Sequence, residues 1–360
     1  MMGDVVPLDV PFRQNSMAAR QAAMLDRFAQ ERRRDGDVFW LKENAEALNV
    51  LESTGAVLPE GALDVHRGFY DEIERRMGFF PQYYRFLLGL CLDLEDLGNG
   101  GQKGSKLAQW VADQGLARAE LSDLQRAEAR RLCLRRGIDP VAEDAGLNDR
   151  LRGFARRSKT FALPNKKAAY ELTHIVFYLS EYGRRDPEVG RAFIDSLHFA
   201  GTLAFLELNL DLLAEICIAL RFAGATPPET WERWLRDQSG LFRLEAVPGI
   251  GAPQDDYHPW LVANWAMIVS GQGGFAQQIP EGRVMFRQPV PSAGPLRELS
   301  DCMYQMDAAR SADWHKMRDR VQEALSDDAR RVLMAAEAAT DRFEDFFAGF
   351  ARAELHRAAQ

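Results

Sequence analysis

The sequence has few cysteines, and their spacing excludes the sites that paired cysteines build. Its 360 residues include only Cys91, Cys133, Cys217 and Cys302, and no two of them form a C-x-x-C pair. This absence excludes zinc knuckles and dithiol redox motifs. Because each cysteine stands in an apolar, helical run, we expect all four to act as small hydrophobic residues of the core.

The chain also lacks an excess of positive charge and a long apolar run. Lys and Arg number 45 against 53 Asp and Glu, a net charge of −8, so we expect no nucleic-acid partner. There is no uninterrupted apolar stretch of about 18 residues, and the first residues lack the pattern of a secretory signal. We therefore expect a folded cytoplasmic protein without a membrane partner.

Several catalytic signatures are missing as well. The sequence contains no G-x-S-x-G nucleophile elbow and no D-D-x-x-D motif of an isoprenoid cyclase. The glycine-rich segment 98–105 does not match the phosphate-binding pattern G-x-x-x-x-G-K-[ST]. We interpret it as a boundary between an N-terminal lobe, residues 1–98, and a second region, residues 106–360, with one continuous domain as the alternative.

Helical periodicity is what the sequence does contain along most of its length. Apolar residues recur every three to four positions, and only residues 241–247 and 283–290 weakly resemble strands. Long helices are expected at 188–223, 296–325 and 327–358. The pattern predicts an all-α fold of helical hairpins, an α/α toroid or barrel-like bundle with an N-terminal helical lobe.

Three acidic residues interrupt the apolar run between His198 and Leu220. Glu207, Asp211 and Glu215 are four residues apart, so on one continuous helix they form a single acidic stripe. Buried carboxylates of like charge need a cation or hydrogen-bond partners nearby. The alternatives are that the stripe faces solvent or that arginines of a neighbouring helix pair with it.

A second group of polar residues is predicted on the apolar helix 165–182. Glu171, His174, Tyr178 and Glu181 share one face of this helix. Glu171-x-x-His174 also matches the Glu-x-x-His pattern of carboxylate-bridged di-metal bundles. We select Glu171, His174 and Tyr178 as candidate catalytic residues, with a hydrogen-bonded core histidine as the alternative for His174.

A third candidate segment follows two aspartates at positions 255 and 256. One of these aspartates can cap a helix whose first turn contains Pro259, which places Tyr257 and His258 at the helix N-terminus. The positive end of a helix disfavours imidazolium, so we expect a neutral His258 ring that serves as a metal ligand or general base. Tyr257 joins the candidate catalytic residues. In the alternative, His258 only packs against Trp260 and Trp265.

Two of these segments are similar to segments of known protein sequences. Residues 172–180 and 257–261 resemble a set of uncharacterised bacterial helical proteins that share an L-T-H-x-x-F-Y-L segment and a later Y-H segment. The similarity covers mostly residues 165–270. It implies the shape of an α/α toroid and a common central cavity for His174, the acidic helix and His258, but it implies no reaction.

These features favour a small-molecule enzyme or ligand-binding protein with a central pocket of histidines and carboxylates. The predicted metal ligands are His174, Asp211, Glu215 and His258, a set that suits a divalent zinc, iron or manganese ion. Without a metal, the same groups could act as a general acid and base. The alternative is a helical scaffold that binds a protein partner, for example through the basic block 126–167, without catalysis.

Overall fold

The computed structural model describes residues 14–249, 254–289 and 294–353, and the chain is 65% helical. Short 3₁₀ turns cover Asp64–His66, Pro81–Tyr83 and Asp307–Ala309, and π-helical turns cover Arg27–Glu31 and Glu95–Asn99. The α-helices of the described residues are α1 (Met17–Asp26), α2 (Val38–Ser53), α3 (Arg67–Phe79), α4 (Tyr84–Leu94), α5 (Lys103–Asp113), α6 (Asp123–Leu134), α7 (Leu147–Ala155), α8 (Ser158–Phe161), α9 (Lys166–Leu179), α10 (Arg191–Leu206), α11 (Leu210–Phe222), α12 (Glu229–Ser239), α13 (Tyr257–Val269), α14 (Leu296–Gln305), α15 (Trp314–Ala324), α16 (Asp327–Ala339) and α17 (Phe343–Phe350).

The predicted all-α class is confirmed, and so are the two weak strand signals. Strand β1 (Arg243–Ala246) pairs antiparallel with β2 (Val284–Arg287), and Leu244 lies opposite Phe286. They form the one sheet of the described residues. The closed toroid stays a prediction.

Two predictions about the core and the surface can also be compared with the structure. All four cysteines are free and buried, as predicted for core residues. Within the described residues, no helix has both the length and the apolar character needed to cross a membrane.

Three predicted long helices are wrong, because each is divided into two. The 188–223 run breaks between α10 and α11, where Leu208 has a φ of +54° and Asn209 starts a new helix. The 296–325 run contains α14 and α15, with Asp313 as the N-terminal cap of the second. The 327–358 run contains α16 and α17, and its residues 354–358 lie outside the described residues. In the first two runs a capping side chain, Asn209 or Asp313, begins the second helix. In the third, the Thr340 hydroxyl accepts from the backbone N–H of Arg342 between the two helices.

The glycine-rich segment 98–105 is closely packed. Gly101 has a φ of +107°, and a Cβ atom there would overlap the hydroxyl of Tyr70, so this position requires glycine. The backbone N–H of Gly104 donates to Oε1 of Glu95 over 2.8 Å. The division into lobes stays a prediction, while one hydrophobic core extends through the described chain from Met24 to Ala351.

Helix α11 occupies the position on which the candidate site depends. It packs against α9, α10, α12 and α13, and α13 in turn contacts α2. Ten residues of α11 are buried, which explains its nearly uninterrupted apolar sequence. Polar groups on α2, α9, α11 and α13 can therefore meet around this helix.

Candidate functional site

Side chains from α11 and α13 form a compact group of potential metal ligands. One carboxylate oxygen each from Asp211 and Glu215 and one ring nitrogen of His258 lie within 4.8 Å of one another. Nε2 of His258 is 3.3 Å from Oδ1 of Asp211. We call these three residues the His258 cluster. Three of the four predicted metal ligands thus lie together.

Glu46 of α2 holds the other side of the His258 ring. Its Oε2 atom is 3.1 Å from Nδ1 of His258 and accepts a hydrogen bond of 2.9 Å from the Tyr257 hydroxyl. A carboxylate that accepts the Nδ1 proton of a histidine leaves Nε2 for the opposite partner. Glu46 was not predicted from the sequence, because nothing in the pattern of α2 distinguishes it from an ordinary exposed acid.

Two hydroxyl groups on α9 orient the carboxylates of the cluster. The Tyr170 hydroxyl donates to Oδ2 of Asp211, and Thr173 Oγ1 donates to Oε2 of Glu215, each over 2.6 Å. The remaining oxygen of Asp211, Oδ1, is buried and has no hydrogen-bond partner among the described residues. Neither hydroxyl was predicted from the sequence, in which other polar residues of α9 were the candidates.

The protonation of His258 differs from the sequence-based expectation. Burial favours the neutral ring, but the hydrogen bond to Glu46 and the charges of Glu46, Asp211 and Glu215 outweigh it and raise the pKa of His258 to about 9. The expectation of a neutral ring in the metal-free protein is therefore wrong. Nearby carboxylates have a larger effect than the end of a helix.

Glu215 is the most deeply placed member of the His258 cluster. Its side chain is 5% exposed. Burial raises the pKa of Glu215 and the charge of Asp211 raises it further, while His174, Thr173 and His258 act in the opposite direction. A cation next to Asp211 and Glu215 would therefore stabilise their ionised forms.

The two aspartates before α13 have other roles than the predicted cap. Asp256 occupies the cap position but makes no capping hydrogen bond with its side chain, and its Oδ2 atom accepts from the backbone N–H of Gln288. Asp255 pairs with Arg32 and accepts from the backbone N–H of Phe286. Both side chains tie the start of α13 to the segment around β2.

His174 lies beside the His258 cluster but is held by its own helix. Its Nδ1 atom is 2.7 Å from the carbonyl oxygen of Tyr170 and 3.8 Å from Oε2 of Glu215. The side chain is 35% exposed. His174 is thus available to a small molecule that approaches Glu215, and its role as a metal ligand stays a prediction.

The other predicted residues, all within the described ranges, form no hydrogen bond or ion pair with the three members of the cluster. Glu171 is half-buried and has no ion pair within the described part of the chain. Tyr178 lines a different cavity, on the side of α6. Glu181 pairs with Arg185, and Glu207 pairs with Lys166 over 2.9 Å. Because the helix breaks at Leu208, the predicted stripe keeps only Asp211 and Glu215 on one helix.

The cluster is accessible from one side, and a cavity lies near it. The side chains of His258 and Glu46 are 30% and 25% exposed. A mainly apolar cavity of about 220 Å³ is lined by Ala169 and Leu212, the immediate sequence neighbours of Tyr170 and Asp211. No member of the His258 cluster is among the lining residues of this cavity.

Comparison with known proteins identifies a family. The family model described as Domain of unknown function (DUF6902) matches residues 2–353, which is nearly the whole chain. None of the curated proteins and none of the solved structures matches the sequence.

Proposed function

The chain belongs to the DUF6902 family, and we propose that it is a metal-dependent enzyme for a small molecule, with its ion held by Asp211, Glu215 and His258. One observation carries this proposal. Three potential ligand atoms lie within 4.8 Å of one another, and the histidine among them has its second nitrogen fixed by Glu46. Zinc, iron and manganese are the ions that such a donor set suits.

The distances support a common centre. Two ligand atoms that are each ~2.1 Å from one ion in tetrahedral geometry are ~3.4 Å apart. The observed separation between Nε2 of His258 and Oδ1 of Asp211 is 3.3 Å. Glu215 stands one helical turn after Asp211, so a modest movement of its side chain brings a third oxygen to the same centre.

The surrounding hydrogen bonds support the same proposal. Glu46 accepts the Nδ1 proton of His258, which orients the ring and makes Nε2 more basic. Tyr170 and Thr173 each bind one carboxylate oxygen. Oδ1 of Asp211 is buried and accepts no hydrogen bond in the described structure. It faces Nε2 of His258 over 3.3 Å, and a metal ion that replaces the Nε2 proton would bind both atoms.

With three protein ligands, a bound ion would keep an open coordination position for water or a small-molecule substrate. A bound ion in such an open site activates water or polarises an oxygen of the substrate. His174, half-exposed next to Glu215, can take or give a proton at its second ring nitrogen. His174 is therefore the candidate catalytic residue beside Glu215, and a catalytic role of Tyr257, whose hydroxyl binds Glu46, stays a prediction.

A different observation favours a second candidate function, that of a scaffold. Protonated His258 lies between Glu46 and Asp211 and forms an ion pair with each carboxylate, so no metal ion is needed to balance their charges. A self-contained network of this kind would hold α2, α11 and α13 together in a helical scaffold that binds a protein partner and performs no catalysis.

Metal analysis separates the two candidates. The protein is stripped with a chelator, and binding of zinc, manganese and iron(II) is measured by calorimetry and by elemental analysis after dialysis. We expect one ion per chain in the wild type and its loss in Asp211→Asn and His258→Ala. Thermal unfolding by circular dichroism confirms that each variant is folded.

Glu207→Gln is the matched control. Glu207 precedes Asp211 by four residues and pairs with Lys166, so its substitution should leave metal binding unchanged. Absence of stoichiometric binding in the wild type would favour the scaffold. Equal binding by the wild type, Asp211→Asn and His258→Ala would place the ion elsewhere.

A further inference from the structure

The basic block 126–167 is largely neutralised by its own chain. Arg126 pairs with Asp123 and Asp144, and Arg150 pairs with the same two aspartates. Arg130 of α6 forms a two-pronged pair with Asp139. These arginines of α6 and α7 therefore form no free basic patch, which argues against an extended acidic partner at this surface.

Arg131, the next residue of α6, is different. It is 6% exposed, and its Nε and Nη1 atoms have no hydrogen-bond partner within the described residues. No described carboxylate lies within ion-pair distance of it. Its guanidinium carbon lies 4.5 Å from the ring centroid of Tyr182. A buried guanidinium with unpaired donors is unfavourable unless a partner occupies the space next to it.

The backbone is strained where it presents the ring to Arg131. Glu181 and Tyr182 have φ values of +48° and +56°, a region that residues other than glycine rarely adopt. Such strain is found preferentially at binding sites, where the surrounding structure maintains it. The surrounding structure therefore holds the Tyr182 ring in place against Arg131.

A cavity of about 100 Å³ lies next to Arg131. Asn148 and Tyr178 line it, and neither side chain has a hydrogen-bond partner in the part of the chain that is described. Water occupies about 30 Å³ per molecule in the liquid, so the cavity has room for about three. An amide and a phenol thus supplement the guanidinium as donors toward a small ligand.

The charges around the cavity leave one positive charge unbalanced. Arg130, Arg185 and the acidic Glu181 also line it, and the two arginines pair with Asp139 and with Glu181. The charge of Arg131 acts on Asp93, but Asp93 forms its ion pair with Arg135, and Glu128 of α6 pairs with Arg85. A ligand that completes this site should therefore be a small anion.

We propose that this cavity binds a small oxyanion, a phosphate or a carboxylate group, through Arg131 with Asn148 and Tyr178. The planar guanidinium presents two N–H groups in the geometry that two oxygens of such a group require. Asn148 and Tyr178 donate to the same or a third oxygen. The site is distinct from the His258 cluster and does not depend on a metal.

Titration with inorganic phosphate, sulfate and acetate tests this proposal on the full chain after metal removal. Calorimetry and thermal unfolding are performed at constant ionic strength with sodium chloride. We expect saturable binding of at least one oxyanion and a matching rise in unfolding temperature. In Arg131→Gln the affinity should fall by about tenfold or more, because hydrogen bonds to a charged group are lost.

A second variant keeps the test decisive if Arg131→Gln does not fold. Asn148→Asp places a carboxylate inside the cavity, so it should raise the unfolding temperature of the free protein and abolish oxyanion binding. Arg126→Gln, on the same helix but outside the cavity, should bind like the wild type. Binding by phosphate and sulfate alone indicates a tetrahedral ligand, and binding by acetate alone indicates a carboxylate.

Two results would overturn the proposal. One is stabilisation that rises without saturation and equally for all three anions, as nonspecific salt effects do. The other is saturable binding that Asn148→Asp leaves unchanged.

Discussion

Glu46 determines which nitrogen of His258 faces Asp211. Replacing it by glutamine removes the charge that favours the Nδ1 proton but keeps an acceptor for it. We expect Glu46→Gln to weaken metal binding by about tenfold to a hundredfold, the usual effect of removing a partner of a metal-binding histidine. Calorimetric titration with zinc or manganese measures it.

Tyr257→Phe is the matched comparison for that substitution. It removes the other hydrogen bond to Glu46 and leaves the carboxylate charge in place. Its effect on metal affinity should be smaller than that of Glu46→Gln. Equal affinities in the wild type and in Glu46→Gln would contradict the assigned role of Glu46.

Because the ring of His66 is buried, we predict that the protein loses stability in mild acid. Burial lowers the pKa of His66 to about 4, and its Nε2 atom lies 2.8 Å from Oδ1 of Asn44. In the unfolded chain the ring titrates near ~6.5, so between these values only the unfolded state takes up the proton. The contribution of the neutral His66 ring to the free energy of unfolding is complete above pH ~6.5. It is lost as the pH falls toward ~4, and the loss is at most about 3 kcal/mol.

Urea unfolding between pH 4.5 and 7.5 checks this dependence. His66→Gln keeps a side-chain amide near Asn44 and removes the titrating ring. The variant should lose less free energy of unfolding than the wild type as the pH falls. An identical pH dependence in the two proteins would show that His66 is not the group responsible.

The break between α10 and α11 positions Asp211 in the first turn of a helix. Asn209 caps that turn, and its side chain accepts a hydrogen bond of 3.2 Å from the backbone N–H of Leu212. Asn209→Ala should destabilise the protein by about 1 kcal/mol and weaken metal binding, because the first turn carries Asp211. Urea unfolding and metal calorimetry measure the two effects.

Ser122→Ala provides the control, since Ser122 caps α6 in the same way. It should reduce the free energy of unfolding by a similar amount without changing metal affinity. If both variants retain the affinity of the wild type, the cap has no influence on the site.

The helices themselves were predictable because their apolar periodicity is strong. The sequence also indicated the β1 and β2 segments and placed a polar site on α11 and at the start of α13. It did not reveal the break at Leu208, since a leucine with positive φ has no sequence signal. Asn209 could have been recognised as a cap within the apolar run.

The partners of the site were less predictable, because they depend on the packing of distant helices. Glu46 precedes His258 by 212 residues, and no local pattern connects them. The pKa of His258 follows from that packing as well, so its position at the helix N-terminus did not predict its protonation state. Tyr170 and Thr173 lay in the correct segment but carry no motif.

A buried ion-pair network connects the segment around α2 to the residues that precede α13. Arg32 is 1% exposed and pairs with Glu43 over 2.9 Å and with Asp255 over 2.8 Å. It also donates to the carbonyl oxygen of Val284. The network and the contact of Glu46 with His258 join α2 to α13 across the predicted boundary between lobes.

Asp255→Asn should therefore destabilise the whole molecule. Removing one member of a buried charge network costs about 3–5 kcal/mol. Glu74→Gln, which affects a more exposed pair with Lys106, should cost less than about 1 kcal/mol. Urea unfolding followed by tryptophan fluorescence measures both, and we expect a single transition. Two separate transitions would show that the lobes unfold independently.

Anomalous diffraction from crystals of the zinc- or manganese-loaded protein tests the metal site most directly. We predict one strong anomalous peak at about 2.0–2.2 Å from Nε2 of His258 and from oxygens of Asp211 and Glu215. Glu46 should remain on Nδ1 of the same ring. Fully loaded crystals without a peak among these three side chains, and with His258 still between Glu46 and Asp211, would contradict the account.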